Sequence, residues 1–304
     1  MQFAGMTVLP PFLQAGDTIA LIGPAFVGKP VEMESGMQFL QNQGFVLEGY
    51  GLAPKTAWGK FTATDAERQA ELQWALDHRH AKAIICLRGG YGVGRILPAL
   101  DWTRFQEQPK WLVGFSDITL LHQAINQQGI ASVQGPMLVH FGRDSQMKAC
   151  GTELDILSGR QGQIHYPLQA ERPGKSSGLL RGGNLSMLAH LCGQIPRGSF
   201  AGSVLLLEEI GEAHYRIDRM LWQLKNAGLM EGIAGLVLGQ FTDCEPDGFP
   251  LTVPEMVLEK LDASVPVFSG LEHGHDAPCL PVLSGWEVML SAEEGFRQRV
   301  PLVV

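Results

Sequence analysis

The 304-residue sequence lacks several features that would settle its class at once. No apolar run approaches the roughly 18 residues needed to cross a bilayer, so no membrane partner is expected. No basic run is present and the formal net charge is −8, which argues against nucleic acid or an anionic membrane surface as the main partner. The five cysteines, Cys86, Cys150, Cys192, Cys244 and Cys279, are odd in number and widely spaced, with no Cys-x-x-Cys pair. A disulfide framework and a zinc ribbon are both disfavoured by that pattern. The first residues, Met1 to Met6, show no charged segment leading into a long apolar one, so the cytoplasm is the expected compartment. Internal repeats and low-complexity tracts are missing as well.

What is present reads as a globular chain. Hydrophobic residues make up 45% and charged residues 18%, a balance that supports a packed core. The length allows two domains of ordinary size or one large one, and it requires neither a disulfide nor a metal for stability. Thr18-Ile19-Ala20-Leu21-Ile22 is a β-branched run that ends at Gly23-Pro24, as a buried strand entering a loop would. A helix is predicted over Val31 to Gln43, stopped by Gly44. Thr64-Asp65-Ala66-Glu67 has the form of a capping box opening a helix through Asp77. Ala83 to Leu87 and Trp111 to Phe115 read as further strands, and Ile118 to Asn126 as a helix.

Strand, loop and helix repeating at this spacing predict a parallel, Rossmann-like sheet with covering helices. Ser158 to Gly178 lacks apolar periodicity and is rich in Gly, Gln, Pro and Ser. It is expected to separate an N-terminal α/β domain, residues 1–160, from a smaller C-terminal α/β domain rich in short strands, residues 161–304. Within the second part, Ser203 to Leu207 and Leu236 to Gly239 read as strands, and Ile217 to Asn226 as a helix.

Four segments could carry chemistry. Ser116 sits where the strand Trp111 to Phe115 turns into a helix, so its side chain would lie at the carboxyl end of the sheet, near free helix amides. Such a serine can be a nucleophile with the Asp117 amide beside it. The same residue types also make ordinary helix N-caps, and Gly-x-Ser-x-Gly is not matched because Ile118 takes the second glycine's place. Arg88-Gly89-Gly90-Tyr91-Gly92-Val93-Gly94 follows a strand and could bring backbone N–H groups against a ligand. It could equally be a plain tight turn, and its glycines miss the Gly-x-Gly-x-x-Gly spacing of a dinucleotide loop.

Leu205-Leu206-Leu207-Glu208-Glu209 runs an apolar strand into two carboxylates, either of which could orient an imidazole or simply meet solvent. Glu212, Asp218 and Arg219 read as surface ion-pairing residues of the following helix. Leu271-Glu272-His273-Gly274-His275-Asp276 offers two loop histidines as general base or metal ligand. A zinc hydrolase built from His273, His275 and Glu208 or Asp276 is the rival reading, although no His-Glu-x-x-His helix supports it.

Taken in order, these segments resemble the LD-carboxypeptidase family of serine peptidases, the group that includes the muramoyltetrapeptide carboxypeptidases. The matching pieces are Arg88-Gly89-Gly90-Tyr91-Gly92, Gly114-Phe115-Ser116-Asp117-Ile118-Thr119, Gln134-Gly135-Pro136-Met137, Gly182-Gly183-Asn184-Leu185, the stretch from Leu207 to Glu212 with Tyr215 to Leu221, and Gly274-His275. The resemblance implies a Ser–His–Glu triad of Ser116, His275 and Glu208, with His273 and Glu209 as neighbours only. It implies an oxyanion site made by backbone amides of Asp117 and of a glycine of the 89–90 pair, taken as Gly90, and no cofactor or metal. The chain order would place the nucleophile in the first domain and its partners in the second.

The implied reaction releases the terminal D-alanine of a muropeptide tetrapeptide, with an L-configured diaminopimelate or lysine on the acyl side, during murein recycling. Arg88 and Asn184 are the candidates for the substrate's free carboxylate, and a homodimer is the implied assembly. A second activity within the family, cleavage of peptidyl-nucleotide antibiotics of the microcin C type, is the alternative. One departure stands out. After His275 the family carries a longer loop ending in Leu-Pro-x-Gly, whereas here Asp276-Ala277-Pro278-Cys279 leads quickly to Leu280-Pro281 and the glycine comes late, at Gly285. The shortened loop leaves fine substrate preference open.

Overall fold

In the computed structural model residues 7–49 and 57–302 are described. The expectation drawn from Met1 to Met6 lies outside these residues. The chain forms two compact units. Unit 1 comprises Met1–Gly162, Leu280–Val282 and Pro301–Val304, and unit 2 comprises Gln163–Cys279 and Leu283–Val300.

Unit 1 begins with β1 (Thr18–Ile22), α1 (Pro30–Asn42), β2 (Val46–Gly49), α2 (Asp65–Asp77) and β3 (Ala81–Cys86). It continues through the short helices α3 (Val93–Ile96) and α4 (Thr103–Glu107) to β4 (Trp111–Val113), α5 (Thr119–Gln127), β5 (Ser132–Gln134) and α6 (Met147–Leu157). Neighbouring strands run β2-β1-β3-β4-β5, with Val282–Ser284 beyond β5 at the far edge. The pairs from β2 through β5 are all parallel. Ile19 to Ile22, Ile84, Ile85, Leu112 and Val113 are wholly buried, as strands covered on both faces require. The sheet is the parallel one expected from sequence.

The capping box also forms as expected. The Thr64 hydroxyl accepts from the Glu67 amide, and the Glu67 carboxylate accepts from the Thr64 amide at 3.0 Å. β3 starts two residues before its apolar run because Ala81 pairs with Thr18 of β1, with Lys82 at the irregularity before the Ile19–Ala83 pair. β4 is shorter than its apolar run because Gly114 turns the chain out of the sheet.

Unit 2 contains β6 (Gln163–Tyr166), β7 (Gln169–Arg172), β8 (Lys175–Asn184), α7 (Leu185–His190), β9 (Val204–Ile210), α8 (His214–Asn226) and β10 (Gly235–Thr242). α9 (Val253–Lys260), β11 (Val267–Ser269), β13 (Glu287–Ser291) and β14 (Gly295–Arg299) follow, while β12 (Val282–Ser284) is the strand that pairs beyond β5. Its sheet has the order β6-β14-β13-β8-β9-β10-β11-β7. Strands β8 to β11 are parallel, and the flanking pairs are antiparallel.

Residues 158–178, read from sequence as an irregular connection, hold β6, β7 and the start of β8. The two short strands close opposite edges of the sheet. An edge strand pairs on one side only and keeps polar side chains outward, so its sequence shows little of the apolar run that marks β9.

Candidate active site

Unit 1 presents a serine in a strained turn. After β4 the chain passes through Gly114 at φ 156° and Phe115 in extended conformation to Ser116 at φ 65°. A non-glycine residue with positive φ pays a steric cost that only a well-packed surround sustains. The other described residues of this kind, Asp243 and Asp247, are aspartates, which tolerate that region better. Ser116 is half-buried and opens the one-turn 3-10 helix Ser116–Ile118 that leads into α5. The position before this helix is Phe115, with no side-chain cap bond, so Ser116 is not the N-cap its residue type allowed.

The packing around this turn is specific. His122 on α5 is fully buried, with Nε2 2.7 Å from the Gly114 carbonyl and Nδ1 2.8 Å from Ser132 Oγ. A carbonyl only accepts, so Nε2 carries the proton. The turn is thereby held to β5. The role of His122 is one of support.

The glycine loop lies against the serine. A Cβ on Gly89 would sit 3.0 Å from Ser116 Cβ and 3.2 Å from its Oγ. Gly90 has φ +116°, and a Cβ there would meet the Phe26 ring at 2.5 Å. Gly90 therefore excludes a side chain and Gly89 leaves little room for one, and Gly90 is exposed. Asp117, buried at 1% exposure, accepts a hydrogen bond from the Val93 amide at 2.9 Å through Oδ2. The residue after the serine thus ties down the far end of the glycine loop. Arg88 is exposed and its Nη1 donates to the Val27 carbonyl at 3.3 Å.

Unit 2 presents an imidazole on a carboxylate. Glu208, near the carboxyl end of β9, is buried at 1% exposure, and its Oε2 lies 2.8 Å from His275 Nδ1. A neutral imidazole facing a carboxylate through Nδ1 carries its proton there, which makes Nε2 the basic nitrogen. Burial opposes the imidazolium, but the bond to Glu208 and its charge, with Glu209 and Asp276 adding to it, outweigh burial. The His275 pKa is raised above the ordinary histidine value.

The loop carrying His275 is fixed from β10. The Gln240 amide donates to the His273 carbonyl at 2.9 Å, and Gln240 Oε1 accepts from the Asp276 amide at 3.0 Å. Gly274, at φ +148°, lets the loop pass against the Gln240 side chain, which a Cβ would meet at 2.8 Å. Gln240 escaped the sequence reading because a glutamine on a strand carries no catalytic signature.

Glu209 has a different occupation from Glu208. It accepts from Asn184 Nδ2 at 3.0 Å, from the Ser186 amide at 2.8 Å and from Ser186 Oγ at 2.7 Å. Burial pushes its pKa up, against the opposing pull of these bonds and of its own bond from the Ile210 amide. Asn184 is buried at 4% exposure and also caps α7 by accepting from the Met187 amide. Its amide is therefore committed to the network around Glu209. Asp218 pairs with Lys260 at 2.5 Å, and Glu212 pairs with Arg216 at 3.3 Å. The zinc alternative finds no assembled ligand set, since no three His, Cys, Asp or Glu among the described residues are grouped to hold a metal ion. His273 is buried, with Nδ1 3.9 Å from Cys279 Sγ.

Residues 19–135 match the LD-carboxypeptidase N-terminal domain, and residues 177–290 match the LD-carboxypeptidase C-terminal domain. The chain belongs to the LD-carboxypeptidase family. It is accordingly a serine-type carboxypeptidase. A probable murein peptide carboxypeptidase of Bacillus subtilis is 33% identical over 297 residues, covering 94% of this chain and 92% of that protein. The murein tetrapeptide carboxypeptidase of Pseudomonas aeruginosa is 31% identical over 273 residues, covering 85% of this chain and 88% of that protein. Among solved structures, the muramoyltetrapeptide carboxypeptidase of Oxalobacter formigenes superposes with a TM-score of 0.81 at 26% identity. The match covers 94% of this chain and all of that one. No described helix is long and apolar enough to cross a membrane.

Proposed function

We propose that this enzyme releases the terminal D-alanine from muropeptide tetrapeptides with Ser116 as nucleophile, His275 as general base and Glu208 as its orienting carboxylate. The observation that carries the reading is the strained Ser116, held at φ 65° against Gly89. Strain of this kind persists where the surroundings demand it, and a nucleophile's turn is such a place. The Glu208–His275 pair supplies the matching base.

In the proposed reaction Ser116 Oγ attacks the carbonyl carbon of the third residue and its proton passes to His275 Nε2. Negative charge builds on the carbonyl oxygen and is met by backbone amides of Gly90 and Asp117, each worth about 10²–10³ in rate. The imidazolium, stabilised by Glu208, protonates the amine of D-alanine and the C–N bond breaks. Water, deprotonated by His275, then attacks the acyl-enzyme and regenerates Ser116. The sum is one amide hydrolysed by one water.

Arg88, exposed beside the glycine loop, is the group we assign to the free carboxylate of the departing residue. Asn184 would serve the site by holding Glu209. The N-terminal domain, residues 1–160, would thus supply the nucleophile and the C-terminal domain, residues 161–304, its base. The reading places the enzyme in murein recycling in the cytoplasm, as a homodimer acting on the murein peptides that its relatives are named for.

The test is incubation with a purified tetrapeptide and mass spectrometry of the products. Equimolar tripeptide and D-alanine, unaffected by chelators, are expected. Absence of D-alanine, or its loss on adding a chelator, contradicts the mechanism.

A further inference from the structure

We propose that Phe26, Trp58, Phe61 and Tyr91 form a stacking ledge for the amino-sugar ring of a glycan-bearing muropeptide, an inference that rests on the carboxypeptidase reading above. Phe26 follows β1, while Gly90 and Tyr91 follow β3. The strand order turns between β1 and β3, and ligands of open parallel sheets bind at the carboxyl ends of strands at such a point.

The four rings form one cluster around Phe61. Phe26 lies 5.5 Å from Phe61 edge to face, Trp58 stacks on Phe61 at 5.6 Å with planes 26° apart, and Tyr91 lies 6.0 Å away. The cluster is anchored rather than loose. The buried Arg68 guanidinium sits 4.7 Å over Phe61, and Arg68 Nη1 donates to the Gly92 carbonyl at 3.1 Å. Trp58 and Phe61 also exchange two backbone hydrogen bonds across a two-residue turn. Yet Trp58 and Tyr91 stay 48% and 49% exposed. An anchored cluster that leaves two large rings half in water offers a ready stacking face.

Reach decides what such a face could serve. Phe26 abuts the Cβ position of Gly90, and Trp58 is joined to Phe26 through Phe61 by centroid steps of 5.5 and 5.6 Å, a reach of at most about 11 Å. On the leaving side of a carboxypeptidase only one residue follows the scissile bond, so a ledge of this length has no use there. On the acyl side, three residues separate the bond from the sugar of a tetrapeptide muropeptide, a span of about 11 Å when extended. A pyranose at that distance can lay its C–H face on the negative π-face of an aromatic ring.

The test compares kcat/KM for an N-acetylmuramoyl tetrapeptide with that for the bare tetrapeptide. The wild-type ratio is expected to be about tenfold. Trp58→Ala is expected to bring the ratio close to one, and Trp58→Phe to restore most of it. A wild-type ratio near one overturns the ledge, as does a ratio that Trp58→Ala leaves unchanged. An advantage confined to a nucleotide-linked tetrapeptide also overturns it, since the rings would then be reading a base.

Failure to release D-alanine from either peptide contradicts the carboxypeptidase reading instead. In that event binding decides the ledge. The N-acetylmuramoyl tripeptide must bind about tenfold more tightly than the bare tripeptide, with the difference lost in Trp58→Ala. Equal affinities overturn it.

Discussion

Asp117 Oδ2 accepts from the Val93 amide at 2.9 Å, so the residue that follows Ser116 also pins the loop that carries Gly89 and Gly90. Nucleophile turn and glycine loop are held as one piece. Asp117→Ala frees the loop and is expected to lower kcat about 10²-fold with a smaller change in KM, the cost of a misplaced oxyanion donor. Asp117→Asn keeps an oxygen that can accept from Val93 and should retain most of the activity. Steady-state kinetics of both variants check this, and an equal loss in the two would show that charge rather than positioning matters.

The pH profile follows from His275. Its pKa is raised because the Glu208 bond and charge outweigh the burial penalty, and only the neutral imidazole can accept the Ser116 proton. The acid limb of kcat/KM should therefore lie above the ordinary histidine value of about 6.5. Glu208→Gln removes the charge, moves that limb to lower pH and should reduce kcat about 10³–10⁴-fold. The same shift has a stability sign. The folded state holds this proton more tightly than the unfolded chain, so the contribution is fully present below about 6.5 and is lost as pH rises through the folded value.

Glu153 on α6 provides a second pH test. It is wholly buried, neither carboxyl oxygen has a hydrogen-bond partner among the described residues, and burial pushes its pKa well up. It lies against Gly135, where a Cβ would come within 2.2 Å of Oε2. The unfolded chain ionises near 4.3 while the folded chain keeps the proton, so stability falls as pH rises above about 4.3 towards the folded value. Glu153→Gln cannot ionise. Its melting temperature should gain on that of the wild type by several degrees between pH 5 and pH 8, since about 1 kcal/mol moves Tm by roughly 2–4 °C. Parallel melting curves across that range would contradict this.

Gly90 is a position closed to substitution beside the proposed nucleophile. It combines φ +116° with a Cβ site 2.5 to 2.8 Å from three carbons of Phe26. Gly90→Ala should cost about 1–3 kcal/mol of stability and lower kcat by at least about 10²-fold, as thermal melts and kinetics would show.

Much of this was legible in the sequence, and the rest was hidden for physical reasons. The Thr64–Glu67 capping box and the buried run of β1 are local patterns, and they formed where read. The strands at Gln163–Tyr166 and Gln169–Arg172 were missed because edge strands need little apolar surface. Ser116 looked at least as much like a cap as like a nucleophile, because backbone sign is not written in a residue type. The structure removes the cap, since the cap position falls on Phe115 and Ser116 opens the turn at φ 65°. The supports His122, Gln240 and the Asp117 carboxylate are long-range contacts between elements, which no local spacing encodes.

The most direct test of the central claim is D-alanine release from a muropeptide tetrapeptide by Ser116→Ala beside the wild type, with thermal melts of both. The account predicts an unchanged melting temperature and a fall in turnover of at least about 10⁴-fold. Release of D-alanine by the folded variant at the wild-type rate would contradict it.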